Sequence, residues 1–302
     1  VGLLMMGFGT NAPVILSGRI VSGLAIGAAT PAIKRIVVVG SGDNLGRNLG
    51  RLFSADVFGF AVGPVISAVL VGPFGLAAPF IVISAMTLVV VALTLGMAVD
   101  EQTEAEPRRF ALDLLRSRAF AGAVLIGSAA FMMIGAFDTL WDVVHTDLGT
   151  TEWVANLGIA LFAIPLVLFG PFAGRLAQRV GPFLVAGAGM GVAALFMGIY
   201  GILATGGAIF AVAMIHSLTD GMSFAASGVA VGMTAPEARQ SGAQGVLGGM
   251  QALAAGLMAP FTGWLYETSG QQTAYWFAAA VMIVLVVGGL LLAGPEARRV
   301  KR

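Results

Sequence analysis

The distribution of Lys and Arg constrains this chain more than any other sequence feature. Fifteen of its sixteen basic residues lie in every second gap between long apolar runs. The gaps after residues 33, 98, 174 and 232 and the tail after residue 294 are basic, whereas the gaps near residues 10, 74, 147, 205 and 270 contain neither Lys nor Arg. Because Lys and Arg are retained on the cytoplasmic side of membranes, this alternation predicts a polytopic membrane protein with a cytosolic C-terminus. The exception is Arg19, inside an apolar run.

The apolar runs set the number of membrane spans. Only 10% of the residues are charged, against roughly 25% in soluble domains, and a membrane-spanning helix needs about 20 apolar residues. Nine runs satisfy this length, and they predict an all-α protein. They cover residues 12–33, 52–72, 76–98, 119–141, 153–174, 183–203, 207–232, 243–266 and 273–294.

The Trp and Tyr residues agree with this topology. All of them fall near the ends of apolar runs that face the gaps without Lys or Arg. Amphipathic rings favour the headgroup layer, so we predict an outer aromatic belt. Its members are Trp141, Trp153, Trp264, Trp276, Tyr200, Tyr266 and Tyr275.

The N-terminal stub indicates a fragment. Residues 1–8 are apolar but too short to span, and nine spans would place the N-terminus outside the cell without a visible signal segment. We therefore expect the first portion of the protein to be missing. A whole protein with an odd number of spans is the alternative.

A charged segment divides the chain into two halves. Residues 100–118 are acidic first and basic afterwards, with Pro107 at the join. We predict a partial N-terminal bundle over 1–99, a cytosolic linker over 100–118, a C-terminal six-helix bundle over 119–295 and a basic cytosolic tail over 296–302. Apolar Phe110, Leu114 and Leu115 in the linker predict a short helix at the membrane surface.

The two halves of the chain contain an internal sequence repeat. Gly59-x-x-x-Gly63-Pro64 in the first half corresponds to Ala255-x-x-x-Ala259-Pro260 in the second, with the two prolines 260 − 64 = 196 positions apart. Small residues four apart allow helix backbones to approach closely, so we expect tight helix crossings at both places. Duplicated bundles are a recurring transporter architecture, with the substrate site between the repeats.

Three stretches resemble motifs of the major facilitator superfamily. They are Arg19-x-x-x-Gly23-x-x-x-Gly27, which is similar to the helix 4 signature; Gly59-x-x-x-Gly63-Pro64, which is similar to the helix 5 motif of proton-driven antiporters; and Gly174-Arg175-Leu176-Ala177-Gln178-Arg179-Val180-Gly181, which is similar to the loop motif between helices 8 and 9. In the last of these, Gln178 stands where Asp is usual. After Pro64 the chain lacks the further glycines of the antiporter motif.

The resemblance implies a fold of two pseudo-symmetric six-helix bundles. The nine spans would be helices 4–12, and the stub would end helix 3. Helices 4, 7 and 10 line the central cavity in that fold, and they would carry Arg19, Asp138, His216 and Asp220. The resemblance also assigns gating or structural roles to the motif residues Gly23, Gly27, Gly59, Gly63, Pro64, Gly174, Arg175, Arg179 and Gly181. The internal repeat adds Pro260 to this group.

Ionisable residues inside spans are costly and mark functional sites by default. Arg19 is either a fixed positive charge for substrate or coupling, or a guanidinium that binds backbone carbonyls or snorkels outward. His216 and Asp220 are four residues apart and share a helix face. They either bind and release the coupling proton or form a hydrogen-bonded pair that links helices.

The remaining polar candidates lie on other spans. Asp138 can attract a cationic substrate, and Trp141 can add a cation–π face, whereas Asp142 and His145 are predicted to be solvated. Asp56 is predicted to pair locally with Arg47 or Arg51. Gln251 contacts either substrate or a neighbouring helix.

The sequence also excludes other classes. It has no Cys, two His and no Gly-rich phosphate loop that ends in Lys-Ser or Lys-Thr, so we expect neither a metal site nor a cofactor, and no enzyme. Dispersed basic residues give no support for nucleic-acid binding. The prediction is a monomeric secondary transporter in the cell membrane that exports an amphipathic small molecule in exchange for protons. A metabolite or sugar uniporter, a proton symporter and a non-transporting sensor are the alternatives.

Overall fold

The computed structural model describes residues 1–96 and 111–295, and every regular element in these two ranges is helical. Within these two ranges, nine α-helices are separated by turns and by three short 3-10 segments at Gly42–Asn44, Ala111–Arg116 and Glu237–Arg239. The α-helices are α1 (Gly2–Phe8), α2 (Ala12–Val39), α3 (Leu45–Phe74), α4 (Ala78–Thr94), α5 (Arg118–Asp147), α6 (Glu152–Val180), α7 (Pro182–Tyr200), α8 (Gly206–Thr234) and α9 (Gln240–Ala293).

Local sequence signals set several helix boundaries. Asn11 Oδ1 accepts a hydrogen bond from Val14 N at 3.1 Å, and Thr205 Oγ1 accepts one from Ala208 N at 3.3 Å. These side chains cap the first turns of α2 and α8, where backbone N–H groups lack helical partners. Gly181, at φ 122°, separates α6 from α7. A side chain at this φ would be strained, so glycine permits the tight turn.

The described residues contain seven helices that are long and apolar enough to cross a membrane, and α4 is a shorter apolar helix. The last of the seven holds two predicted spans, because Gly270 inside α9 has non-helical angles (φ 82°, ψ 174°). Gly122, near the start of α5, lies against Gly289 and Ala293, whereas Gly135 lies against Ala255. The second arm of α9 (271–293) therefore runs back along α5, antiparallel to the first arm (240–269).

The helices extend beyond the predicted apolar runs. Helix α2 continues from residue 33 to Val39, and α3 begins at Leu45 rather than at residue 52. Apolar composition marks only the part of a helix that lies in hydrocarbon, and backbone hydrogen bonding continues into the polar flanks. Below, the basic end of the molecule means the helix ends next to Lys34, Arg47 and Arg175, and the aromatic end means the opposite one.

The core lies in the second half of the chain. Helix α5 packs against α7, α8 and both arms of α9. Its axis-facing residues, including Phe120, Leu140 and Met133, are buried. The predicted close approach at Ala255 is confirmed, since a side chain at Gly135 would meet the Ala255 backbone. The predicted approach at Gly59 and Gly63 is wrong for the described residues, because nothing lies within 4 Å of either position.

The linker helix is described in part. Ala111–Arg116 forms a 3-10 helix, and Leu114 and Leu115 pack on the core. The predicted location at the membrane surface stays a prediction. Both guanidinium nitrogens of Arg239 donate to the Asp113 carboxylate at 2.6 Å, which attaches this segment to the start of α9. Phe110, Pro107 and the predicted tail 296–302 lie outside the described residues.

The aromatic residues only partly form a belt. Trp153, Trp264 and Trp276 are more than half exposed, as a belt requires. Trp141, Tyr200 and Tyr275 are instead buried among the helices, because the rings of Tyr200 and Tyr275 pack together with centroids 5.6 Å apart and Trp141 packs on His145 at 4.2 Å. His145, predicted to be solvated, is fully buried, whereas Asp142 is exposed.

Candidate functional site

A cavity of about 330 Å³ lies between α2 and α3 on one side and α5, α6, α8 and α9 on the other. Its wall is mainly apolar and includes six phenylalanine rings. These are Phe53, Phe60, Phe131, Phe137, Phe162 and Phe224. Few polar groups in an apolar concave site are typical of small-molecule binding, and the position of the cavity between the two halves matches the expectation from the internal repeat.

Four charged side chains line this cavity: Lys34, Asp56, Asp138 and Asp220. Three carboxyl groups thus face one ammonium group across an apolar space. The sequence predicted Asp138 and Asp220 here. The amides of Gln244 and Gln251 also lie in the wall.

Asp56 interacts electrostatically with Lys34, and not with Arg47 or Arg51 as the sequence predicted. The correction follows from helix geometry. Asp56 lies on the α3 face that turns towards the cavity, and Lys34 reaches the same cavity from α2, whereas Arg51 is exposed. Asp138 and Asp220 are the remaining carboxyl groups in the wall.

Asp220 lies at the end of a buried polar chain. Nε2 of His216 is 3.0 Å from Asp220 Oδ1, and Nδ1 of His216 is 2.9 Å from the Tyr200 hydroxyl. All three side chains are completely buried, and of the three only Asp220 borders the cavity. The i, i+4 pairing of His216 and Asp220 was predictable from spacing, but Tyr200 on α7 was not.

An aromatic cage surrounds the imidazole of His216. The ring of Phe196 stacks on it with centroids 4.8 Å apart, and Phe162 and Phe137 pack edge-on at 5.9 and 6.4 Å. Such packing keeps water away from the ring nitrogens. Nδ1 has its hydrogen-bond partner in the Tyr200 hydroxyl, whereas Nε2 lies 3.0 Å from Asp220 Oδ1 and has no hydrogen-bond partner among the described residues.

The sequence offered two interpretations of Gln251, contact with substrate and contact with a neighbouring helix, and its position is compatible with both. Its Nε2 donates to the Gly127 carbonyl oxygen at 3.3 Å, which links α9 to α5. The same side chain also forms part of the cavity wall. A substrate group can thus meet an amide that a neighbouring helix already orients.

Two predicted site residues lie away from the cavity. Arg19 is exposed on α2 and is not part of the described wall. Trp141 is also outside the wall, so it does not provide the predicted cation–π face. Its Nε1 donates to the Ala155 carbonyl oxygen at 3.0 Å, and its ring is buried between α5 and α6.

Helices α3 and α6 cross closely at the basic end of the molecule. A side chain at Gly46 would meet the Gly174 backbone, and one at Gly50 would meet the Gly170 backbone. The Ser54 hydroxyl donates to the Val167 carbonyl oxygen at 2.7 Å across this crossing. The two helix backbones are therefore nearly in contact.

Gln178, from the predicted loop motif, reinforces this crossing. Its Oε1 accepts a hydrogen bond from Gly46 N at 2.7 Å, and its Nε2 donates to the Asp43 carbonyl oxygen at 3.2 Å. The first bond satisfies a free N–H group in the first turn of α3. An amide both accepts and donates here, which an aspartate cannot do. Elsewhere at this end, Pro31 of α2 lies 3.6 Å from the position of a Cβ added at Gly245 of α9.

The other motif residues have different surroundings. No described atom lies within 4 Å of the position that a Cβ would take at Gly23 or Gly27. Arg175 and Arg179 are exposed on the last turns of α6. Pro64 and Pro260 lie inside α3 and α9, and both helices continue through them.

Sequence comparison decides the family. The model of the family described as Major Facilitator Superfamily matches residues 1–141 and 119–302. The chain belongs to the Major Facilitator Superfamily. Comparison with curated proteins gives no match. Members of the superfamily are transporters, so the chain is a membrane transporter and not an enzyme.

Solved superfamily structures share the fold. The human organic anion transporter MFSD10 (TETRAN) superposes with a TM-score of 0.79 at 14% identity, over 96% of this chain and 74% of that one. The E. coli fucose:proton symporter FucP gives 0.69 at 18% identity, over 96% and 82%. FucP in the outward conformation gives 0.70 at 17% identity, over 96% and 81%. At such identities the likeness concerns the superfamily fold alone.

Proposed function

We propose that this transporter exports amphipathic small molecules, cationic or neutral, in exchange for protons. The observation that carries the proposal is the composition of the cavity wall. Six phenylalanine rings provide apolar and cation–π contacts. The carboxyl groups of Asp56, Asp138 and Asp220 outnumber the single amine of Lys34 in the wall.

Exchange follows from competition for the same carboxylates. A cation in the cavity is stabilised by ionised Asp138 and Asp220, and a proton on either group removes that stabilisation. Substrate and proton therefore favour opposite charge states of one site. When a cation binds from one side and a proton binds from the other, the two are exchanged. The proton gradient then drives export, and no other energy source is needed.

Alternating access has a structural basis at the crossing of α3 and α6. The backbone contacts at Gly46 and Gly50 support a cavity closed at the basic end. The Lys and Arg distribution supports a cytosolic location for that end and for the C-terminus, in a cell membrane. On this proposal the structure represents a state closed towards the cytosol, and export requires α3 and α6 to separate.

The test uses inside-out vesicles that contain the protein and have an acidic lumen, with a pH-sensitive dye inside. Tetraphenylphosphonium, a neutral lipophilic compound and a sugar are added separately, because they represent three substrate classes. We expect tetraphenylphosphonium to raise the lumenal pH as protons leave. Asp220→Asn abolishes this response, and Asp142→Asn, at an exposed residue away from the cavity, retains it.

A proton symporter is the second candidate. The amides of Gln244 and Gln251 in the cavity wall suit hydrogen bonding to a hydroxylated solute and favour this alternative. The sign of the proton movement distinguishes the two. Proton movement in the same direction as the solute contradicts antiport, and labelled solute flux without any proton movement indicates a uniporter. If neither protons nor solute move with any of the three compounds, the proposal is wrong for these three substrate classes.

A further inference from the structure

Two residues of the cavity wall have buried side-chain atoms without a hydrogen-bond partner among the residues that the structure describes. The atoms are Oε1 of Gln244 on α9 and both carboxyl oxygens of Asp220 on α8. An amide oxygen and an ionised carboxylate can only accept hydrogen bonds. A buried acceptor without a donor costs free energy, and a ligand with hydroxyl or N–H groups removes that cost.

The amide of Gln244, a residue that is only 1% exposed, is turned so that its oxygen is the free atom. Its Nε2 lies 3.5 Å from the Gly228 carbonyl oxygen, which can only accept, so the NH2 group belongs on that side. A bond of this length is weak. One turn earlier, Gln240 Nε2 donates to the carbonyl oxygens of Gly232 and Ala235 at 2.8 and 3.0 Å. A structural link between α8 and α9 therefore explains Gln240 better than Gln244.

The wall is open at the residue that faces the Gln244 amide. No described atom lies within 4 Å of the position that a Cβ would take at Gly228. Both Gly228 and Gln244 line the cavity. A ligand group can therefore approach the amide over this glycine, where a larger residue would occupy the space.

Helix α8 sets the spacing between the carboxyl group and the amide. Asp220, Phe224 and Gly228 follow each other at intervals of four residues, so they share one face of α8, and all three line the cavity. Eight residues of helix span about 12 Å. The ring of Phe224, between the two ends, stacks on Phe53 with centroids 5.5 Å apart and meets Phe131 edge-on at 5.9 Å. Along α8 the cavity thus offers a carboxyl group, an aromatic middle and an amide oxygen.

We infer that Gln244 is a specificity-determining residue that accepts a hydrogen bond from a hydroxyl or N–H group of the substrate. The substrate class is then an elongated amphipathic amine, with its ammonium group at Asp220, its apolar body on the phenylalanine rings and a second donor at the Gln244 oxygen. Lys34, the one amine among the described wall residues, does not supply this donor, since Gln244 Oε1 has no partner there. The inference rests on the proposed function and narrows its substrate class.

The experiment compares two amines that differ in one donor, 4-(4-aminobutyl)phenol and its methyl ether. Their charge is equal, only the phenol can donate at the far end, and the flexible chain adjusts to the spacing along α8. Equilibrium dialysis with the purified full chain gives both affinities. We expect the phenol to bind more tightly than the ether. Gln244→Met should lower the ratio of the two affinities about three- to tenfold, the scale of one hydrogen bond.

Gln240 provides the matched control. It is a buried glutamine on the same helix, and its Oε1 also lacks a partner among the described residues, but it does not line the cavity. Gln240→Met should therefore leave the ratio unchanged. Gln244→Glu retains an oxygen acceptor, and its charge acts equally on both amines. This variant should keep a preference for the phenol, which separates loss of the acceptor from loss of packing.

Three results would overturn the inference. They are a wild type that binds the ether as tightly as the phenol, an unchanged ratio in Gln244→Met, and an equal fall in both Met variants. Tetraphenylphosphonium, a cation without a donor, is measured beside the amines, and its retained binding shows that a variant is folded. If it binds while the ratio does not depend on Gln244, the inference is wrong and the proposed function stands. If none of the three cations binds to the wild type, the proposed function is wrong for cations, and the inference is wrong with it.

Discussion

Helix α3 carries two pairs of glycines with the same spacing and different surroundings. Gly46 and Gly50, near the basic end, face the backbone of α6 so closely that no side chain fits. Gly59 and Gly63, further along the same helix, face no described atom within 4 Å. Spacing of small residues thus permits a close crossing, but the partner helix decides where the crossing forms. The close approach of α3 to α6 lies at the basic end.

The largest effect on opening of the basic end is expected when Gly46, in the first glycine pair, is replaced by a larger residue. The same replacement at Gly63, in the second pair, is the control. Gly46→Leu places a side chain where the Gly174 backbone lies, so the crossing cannot form and the basic end stays open. Gly63→Leu, the matched control, adds the same side chain where there is space. The chain has no Cys, so a single Cys at cavity residue Ser227 reports accessibility without background.

The measurement is the rate at which a membrane-impermeant maleimide labels this Cys in inside-out vesicles. We expect labelling at least tenfold faster in Gly46→Leu than in Gly63→Leu, which is more than about 1.4 kcal/mol in the opening equilibrium. Equal rates in the two variants would mean that the α3–α6 crossing does not close the cavity.

The glycine comparison also shows where sequence reasoning succeeded and failed. The helical fold and the positions of most spans follow from apolar runs and from Lys and Arg, since the bilayer imposes length and sidedness on every span. The family follows from the resemblance of three sequence motifs. Gly59-x-x-x-Gly63 was selected because it lies in an apolar run. Gly46-x-x-x-Gly50 was missed because Arg47 and Arg51 made that stretch resemble a loop.

The site was predictable only where partners lie on one helix. His216 and Asp220 are four residues apart, and helix geometry brings them together. Tyr200 is sixteen residues from His216 on another helix, and its position near a span end indicated a belt residue. Lys34 contributed only to the topology prediction, and its interaction with Asp56 depends on how α2 and α3 pack.

A second prediction concerns the part of α3 between the two glycine pairs, which contributes Asp56 to the cavity wall. Asp56→Asn removes a carboxyl group that interacts electrostatically with Lys34, so the cavity becomes more positive. We expect weaker binding of tetraphenylphosphonium by about tenfold, or about 1.4 kcal/mol, and tighter binding of tetraphenylborate. Asp138→Asn should weaken cation binding by a similar factor. It should strengthen anion binding less, because the electrostatic partner of Lys34 is Asp56.

Equilibrium binding of both ions to the purified variants checks this prediction. If Asp56→Asn and Asp138→Asn change the affinities for the cation and for the anion by the same factors, Lys34 does not influence substrate binding. In that case the middle of α3 contributes only apolar surface to the cavity wall. The role of α3 would then rest on its close crossing with α6 at Gly46 and Gly50.

The smallest expected effect tests the polar part of the closed crossing. Gln178→Leu removes the bonds to Gly46 N and to the Asp43 carbonyl oxygen, each worth about 0.5–1.5 kcal/mol net, whereas the glycine contacts remain. Labelling at position 227 should rise a few-fold, less than in Gly46→Leu. Gln178→Glu retains an acceptor for Gly46 N, and its charge is favourable beside the N-terminus of α3, so its labelling rate should lie between wild type and Gln178→Leu. If Gln178→Glu labels as fast as Gln178→Leu, the donated bond to Asp43 holds the crossing, and the capping of α3 contributes little to it.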